Sequence, residues 1–239
     1  MPAPWHGTLP TLSSMLVISP HLDDAVFGCG RLIAAHPGSV VVTVFAGVPR
    51  HPERLTEWDA ACGFRNAAEA IATRRREDQA ALALLDATPR WLDFCDSQYD
   101  ETASPAELAA ALGQAIANEA PDRVLYPLGI FHSDHLLVHD AAVAALRAWP
   151  DLPAFAFEDA LYRGMRGELQ QRLAALARAR FSATPARLLV EGAEARKAQA
   201  VQAYASQMRA FGPNGVADTA QPERYWRLER ESPAEEDTE

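Results

Sequence analysis

The sequence predicts an α/β fold, a Rossmann-like three-layer sandwich with a mostly parallel central sheet. Short β-branched apolar runs alternate with longer stretches of helical character, the pattern of strands joined by helical crossovers. Hydrophobic residues make up 49% of the chain and charged residues 23%, the balance of a packed globular protein rather than a disordered or fibrous one. A chain of 239 residues can bury a full core, and it is read as a single domain over 1–239 with its core at 15–211.

Met15 to Ser19 (MLVIS) is an apolar run that stops at Pro20 and reads as the first strand. A helix is expected over Asp24 to Ala35, then a second, β-branched strand over Val40 to Phe45. Gly47 to Gly63 has little periodicity and carries Pro49, Pro52 and Trp58. It follows a strand, where open α/β sheets place ligand-binding loops, and is either a substrate loop or a connector. Next come a helix over Asn66 to Leu85, a third strand over Trp91 to Phe94 and a helix over Pro105 to Glu119, whose proline suits a first turn. Arg123 to Tyr126 reads as the fourth strand, Ser133 to Trp149 as a helix and Ala154 to Phe157 as the fifth strand. A helix over Glu168 to Ala179, a late strand over Arg187 to Val190 and a helix over Ala193 to Phe211 complete the set. Residues 231–239 (ESPAEEDTE) are acidic, lack an apolar face and are read as a solvated tail.

The formal net charge of -10 argues against a nucleic-acid partner, because phosphate neutralisation needs a basic face and the run Arg74, Arg75, Arg76 is too short to make one. Cys29, Cys62 and Cys95 are odd in number and lack C-x-x-C spacing, so reduced buried thiols and a cytoplasmic location are expected. The first apolar stretch has no basic segment ahead of it and is far shorter than the roughly 20 residues a membrane span needs. Neither a signal peptide nor an anchor is expected. A homo-oligomer is compatible with the sequence.

Chemistry concentrates at two places. The run MLVISPHLDDAVFGCG delivers His21, Asp23 and Asp24 between the first strand and its helix, at the carboxyl end where α/β folds hold ligands. Imidazole and carboxylate both suit zinc, and a catalytic zinc takes three protein ligands and leaves a position for water. His21 and Asp24 supply two of them. Asp23 points elsewhere and suits a general base acting on that water. Taken alone, this segment also fits an aspartate that only caps the helix.

After the fourth strand, IFHSDHLLVHDAA sets His132, Asp134 and His135 at an equivalent junction. If strands one and four are neighbours across the switch point of the sheet, His135 completes the His, Asp, His set. His132 then stands near the open position, where an imidazole held in one tautomer or kept protonated by Asp134 stabilises an oxyanion or hands a proton to the departing amine. His139 lies a turn beyond His135 and is read as hydrogen-bonded rather than as a ligand.

With both motifs in view, the chain resembles the LmbE-like, or PIG-L, family of zinc-dependent N-deacetylases over roughly residues 15–211. The family's PHPDDE stands here as Pro20, His21, Leu22, Asp23, Asp24, Ala25, and its HPDH as His132, Ser133, Asp134, His135. The resemblance implies hydrolysis of an N-acetyl group from an N-acetylglucosamine-type conjugate, a small-molecule amino-sugar partner. It implies zinc on His21, Asp24 and His135, Asp23 as base, and His132 at the oxyanion with Asp134 in support. Members act on glycosylphosphatidylinositol, mycothiol and bacillithiol precursors and on glycopeptide antibiotics, so it defines no aglycone. An R-x-x-E helix start at Arg74 and Glu77, Asp96 in FCDSQYD and YASQ at Tyr204 to Gln207 also look familial. By that likeness Arg74 and Asp96 contact the sugar, while Tyr204 and Gln207 are read as packing.

Leu22 and Ala25 replace the family's Pro and Glu, and Ile130 occupies the region where some members carry a Tyr beside the oxyanion. No ligand is lost, but Ala25 removes any support that the glutamate lends the metal. Iron or cobalt would accept the same donors as zinc. Two rival readings remain, a non-catalytic α/β module holding a sugar or nucleotide, and a metal-dependent phosphoesterase; the latter clamps phosphate between paired metals, and only one clear triad is visible.

Overall fold

The computed structural model describes residues 14–101, 103–188, 192–212 and 215–230. Its strands are β1 (Met15–Ser19), β2 (Val40–Thr43), β3 (Thr88–Trp91), β4 (Arg123–Pro127), β5 (Ala154–Phe157), β6 (Phe181–Ala186) and β7 (Tyr225–Arg230). They form one seven-stranded sheet in the order β3-β2-β1-β4-β5-β7-β6. The first five strands run parallel, and β7 pairs antiparallel with both β5 and β6. The mostly parallel sheet read from the alternating pattern is therefore present, with an antiparallel margin at one edge.

Eight helices flank it among the described residues: α1 (Asp24–Ala35), α2 (Glu57–Ala61), α3 (Ala67–Leu84), α4 (Pro105–Glu119), α5 (Ser133–Leu146), α6 (Glu168–Arg178), α7 (Glu194–Gln202) and α8 (Ala205–Phe211). The side chains of β1 alternate between two cores, as a strand's twofold period requires. Met15 and Val17 join α1, α3 and α7, whereas Leu16 and Ile18 join α4 and α5. A sheet covered on both faces explains why its central strands read as unbroken apolar runs. Burying the four β1 side chains Met15, Leu16, Val17 and Ile18, each at most 1% exposed, contributes on the order of 1.5–3 kcal/mol apiece.

Differences from the sequence reading fall at the periphery. The third strand is Thr88–Trp91 rather than 91–94; as an edge strand with Pro89 inside it and alternate residues exposed, it shows no buried run. β6 and β7 escape pattern reading because YWRLER and FSATPA are half-exposed antiparallel segments. Arg187 and Leu188 lie outside any strand, and 189–190, like the tail 231–239, fall outside the described residues. The last helix breaks at Ala203–Tyr204 into α7 and α8, and the aperiodic 47–63 segment contains α2. The order of the sheet reverses between β1 and β4, which makes their carboxyl ends the crevice expected of an open α/β sheet.

Candidate active site

The crevice is a cavity of about 380 Å³. His21, Asp23 and Asp24 reach it from the β1–α1 turn, and the Ser19 hydroxyl closes that turn. It donates to the His21 carbonyl at 2.7 Å and accepts the Ala25 N–H at 3.0 Å. The β4–α5 junction supplies His132 as the residue capping α5, with Asp134 and His135 in the first turn.

The Asp24 carboxylate is the centre of this arrangement. Its Oδ2 accepts the His21 backbone N–H at 2.8 Å and lies 3.1 Å from His21 Nδ1 and 3.2 Å from His135 Nε2. Ligand atoms of His21, Asp24 and His135 all fall within 4.8 Å of one another. Among the described residues the buried Nε2 of His135 makes no well-aligned hydrogen bond and has the Asp24 carboxylate, 3.2 Å away, as its ion-pair partner. A buried nitrogen that faces a carboxylate at 3.2 Å without a well-aligned hydrogen bond is an arrangement that a cation between the two would fit. A second group, His21, His132 and Asp134, also meets the distance criterion. It shares His21 with the first group and lacks the buried His135 nitrogen turned toward a carboxylate.

The tautomers follow from the partners. Asp159, after β5, accepts the Gly129 and Ile130 N–H groups on Oδ2 at 2.8 and 2.9 Å, and its Oδ1 lies 2.6 Å from His135 Nδ1. A carboxylate there places the imidazole proton on Nδ1 and leaves the Nε2 lone pair facing the crevice, the outer support that metal-bound histidines carry. Burial opposes charge on the metal-free His135, yet Asp24 and Asp159 pull its pKa up to about 9. Burial likewise disfavours the Asp24 anion, but His135 and His21 overcome it and hold Asp24 well below the carboxylate range.

Asp23 is 6% exposed, and its carboxylate accepts no hydrogen bond among the described residues. Burial, with repulsion from Asp24, raises it to about 8. This is a carboxylate with a high proton affinity beside a ligand set, the environment of a general base. His132 is pushed down by burial and by His21 and His135. It is neutral, and because Nδ1 accepts from Asp134 N–H its proton sits on Nε2, ready to donate. The Asp134 carboxylate does not reach back to His132. It meets His21 Nε2 at 3.0 Å and accepts the Ser97 N–H at 3.3 Å. Its support of His132 runs through the backbone instead.

Arg74 and Asp96 both line the cavity. Arg74 is buried, ion-paired with Asp59 at 2.9 Å and stacked over Phe64 at 5.3 Å. Asp96 accepts both the backbone and side-chain N–H of Gln98, at 3.0 and 2.9 Å, and stands 3.7 Å from His21 Nε2. Trp58, Ile71 and Phe211 give the cavity an apolar wall. His139 bonds the Pro127 carbonyl through Nδ1 at 2.9 Å, away from the ligand set. Tyr204 donates to Asp78 at 2.9 Å, Ser206 donates to Glu77 and Gln207 donates to the Leu22 carbonyl at 2.8 Å, so the late helix is tied to α3 and to the HLDD turn.

Sequence reasoning passed over Asp159 and Tyr162. The signal for Asp159 was present: FEDALY places carboxylates at the carboxyl end of a strand, as the other two junctions do. Tyr162 had none, because a lone tyrosine in a loop carries no spacing.

Comparison with known proteins agrees with this geometry. The family model for PIG-L, GlcNAc-PI de-N-acetylase, matches residues 16–146. The 2'-N-acetylparomamine deacetylase of Streptomyces fradiae is 32% identical over 214 residues, covering 80% of this chain and 72% of that protein. Among solved structures, the zinc-inhibited form of teicoplanin deacetylase Orf2 superposes with a TM-score of 0.75 at 26% identity, over 92% of this chain and 99% of its own. The A40926 pseudoaglycone deacetylase Dbv21 does so with a TM-score of 0.74 at 29% identity, over 94% and 100%. With the matched span holding both histidine motifs and the switch-point crevice between them, this chain belongs to the PIG-L family.

Proposed function

We propose that the chain is a zinc-dependent N-deacetylase that hydrolyses the N-acetyl group of an amino-sugar conjugate of the N-acetylglucosamine type. The observation that carries the reading is the convergence of His21, Asp24 and His135, whose ligand atoms lie within 4.8 Å of one another, with the buried His135 Nε2 turned toward Asp24 and its Nδ1 held by Asp159. His21 through Nδ1, Asp24 through Oδ2 and His135 through Nε2 are the donors that would hold the ion. Bound there, zinc supplies Lewis acidity, lowering the pKa of water toward about 7 and polarising a carbonyl.

The residues of the chain do the rest. Asp23 takes the proton of the attacking water, and its proton affinity is maintained by burial and by Asp24. His132 donates from Nε2 to the amide oxygen as it gains charge, a contact that strengthens toward the transition state. The proton collected by Asp23 is then available to the departing amine. Arg74 and Asp96 contact the sugar from the cavity wall, with Arg74 fixed by Asp59 and Asp96 by Gln98. The relatives named as deacetylases of 2'-N-acetylparomamine, teicoplanin and the A40926 pseudoaglycone support an amino-sugar conjugate as the substrate class. Among the described residues no helix is long and apolar enough to cross a membrane.

The test is metal content and acetate release measured together, on purified chain incubated with a panel of N-acetylglucosamine conjugates with and without chelator. Chelator-sensitive release at about one metal per chain is expected from a three-ligand site. A metal-free preparation that binds sugars without releasing acetate overturns the reading in favour of a binding module. A relative has been crystallised in a zinc-inhibited form, so added zinc is titrated against activity rather than supplied in excess.

A further inference from the structure

Beside the cavity lies a groove of about 650 Å³, formed by the segment Arg54 to Trp58, by Ala61 and by Gln98. Trp58 and Gln98 also line the cavity, so the two spaces are continuous. The HLDD and HSDH turns, which carry the ligand set, contribute nothing to the groove. Its junction with the cavity falls instead among the partners of the sugar contacts. Gln98 donates to Asp96 through its backbone and side-chain N–H groups at 3.0 and 2.9 Å, and Trp58 precedes Asp59, which pairs with Arg74 at 2.9 Å. A conjugate with its amide at the ligand set and its sugar against Arg74 and Asp96 therefore sends its aglycone into the groove.

The groove is held in shape although its segment is aperiodic in sequence. Thr56 Oγ1 donates to Gln98 Oε1 at 2.6 Å, and the Ala67 N–H donates to the Arg54 carbonyl at 2.7 Å. Arg54 itself donates to the Tyr99 carbonyl at 2.9 Å and to Asp100 at 2.7 Å. A surface fixed in this way loses little ordering entropy when a ligand arrives. Leu55 is nevertheless 48% exposed, and the indole of Trp58, packed on Phe211 at 5.1 Å, is only half-buried. The charges are unequal. Arg54 is taken up by Asp100 and Arg74 by Asp59, whereas the exposed carboxylate of Glu57 has no hydrogen bond or ion pair among the described residues. The groove thus presents an indole, an aliphatic side chain and one unmatched negative charge.

We propose that this groove is the aglycone subsite of the conjugate and takes an aminated polyol ring, its C–H face against Trp58 and Leu55 and its ammonium at Glu57. The inference rests on the deacetylase reading. The negative face of an indole attracts both polarised C–H groups and cations, which an aminated ring offers together. An alkyl or aryl aglycone uses the apolar wall but covers Glu57 without giving it a partner. An anionic aglycone meets Glu57 and Asp96 in turn, on a chain whose net charge is already -10.

The experiment measures KM, kcat and calorimetric Kd for four glycosides of N-acetylglucosamine, with methyl, octyl, neutral cyclitol and aminocyclitol aglycones, on the metal-loaded chain and on Glu57→Gln and Ala61→Trp. The aminocyclitol conjugate is expected to show the lowest KM of the four, with kcat alike for all, as contacts remote from the amide require. Ala61→Trp fills the groove and should raise KM about tenfold for both cyclitol conjugates while the methyl glycoside stays within twofold. Glu57→Gln should raise KM about two- to fivefold for the aminocyclitol conjugate alone, the size of a solvent-exposed ion pair. Added salt should erode that preference in the parent and leave the variant unchanged. Equal KM for the amino and neutral cyclitols in the parent, a preference for the octyl glycoside, or an equal response of all four to Ala61→Trp overturns the proposal. If no conjugate releases acetate, the deacetylase reading falls, and the Kd values still decide the groove: equal affinity for the methyl and aminocyclitol glycosides overturns it as well.

Discussion

The two strand–helix junctions that build the crevice look alike in sequence, HLDD after β1 and HSDH after β4, yet their histidines are used in opposite senses. His21 is held through Nε2 by Asp134 at 3.0 Å and turns Nδ1 toward Asp24. His135 is held through Nδ1 by Asp159 and turns Nε2 toward the same carboxylate. In each case the orienting carboxylate comes from the next strand end along the sheet, β4 for His21 and β5 for His135. The supports differ in strength. The Asp159 side chain is fully buried and takes two backbone N–H groups besides the imidazole, whereas the Asp134 side chain is 5% exposed and shares its Oδ2 with Ser97. A local motif thus offers candidate ligands, and the neighbouring strand decides which nitrogen faces the Asp24 carboxylate.

Breaking the shared centre has the largest expected effect. His135→Ala or Asp24→Ala should reduce bound metal from about one per chain to near zero and abolish acetate release, since three-ligand zinc sites do not tolerate losing a donor. Elemental analysis of the purified variants checks this. Next comes Asp23→Asn, expected to keep its metal while kcat falls by about 10²–10⁴, the range for removing a general base. Full metal with unchanged turnover would remove Asp23 from its assigned role.

The comparison itself is sharpened by the outer carboxylates. Asp159→Asn should weaken metal binding by about 10–100-fold, as loss of such partners does. Asp134→Asn should cost less, because its imidazole contact is longer and the Asp134 side chain is less enclosed. Competition with a chromogenic chelator ranks the two; equal losses would mean that the junctions are supported alike. The smallest effect concerns His139, whose pKa is driven down to about 3 by burial and by Arg172. Its folded value lies below the unfolded value of about 6.5, so the unfolded chain binds the extra proton and stability falls as pH drops below about 6.5 toward 3. Denaturant midpoints of the chain and of His139→Gln, measured from pH 7 to 4.5, should therefore converge toward the acid end.

The central strands and α4 were legible because a parallel strand buried on both faces is a continuous apolar run and because Pro105 suits a helix's first turn, which the structure also closes with a capping box of Ser104 and Glu107. The side chains that meet at the crevice were legible because both motifs sit where strands end. The margin was not. β3 alternates exposed and half-buried residues and β6 and β7 are largely half-exposed, so none shows a buried run, and the break between α7 and α8 falls at Tyr204, whose hydroxyl bonds Asp78. Nothing in the run Arg74, Arg75, Arg76 marks which arginine is buried, and only packing shows Arg74 enclosed against Asp59, a partner in the aperiodic 47–63 segment.

The amino-acid sequence by itself determined the kind of fold and the kinds of side chain that meet at its crevice. Apolar periodicity and the position of polar residues after strands are local properties, written within a few residues of one another. The tertiary structure alone decided that Asp134 serves His21 rather than His132, that Asp159 selects the free nitrogen of His135, and that Asp218 clamps the loop of Tyr162. Those choices depend on pairs 113, 24 and 57 residues apart. A hydrogen bond of about 3 Å between such distant residues is set by strand order and register, which no local spacing encodes.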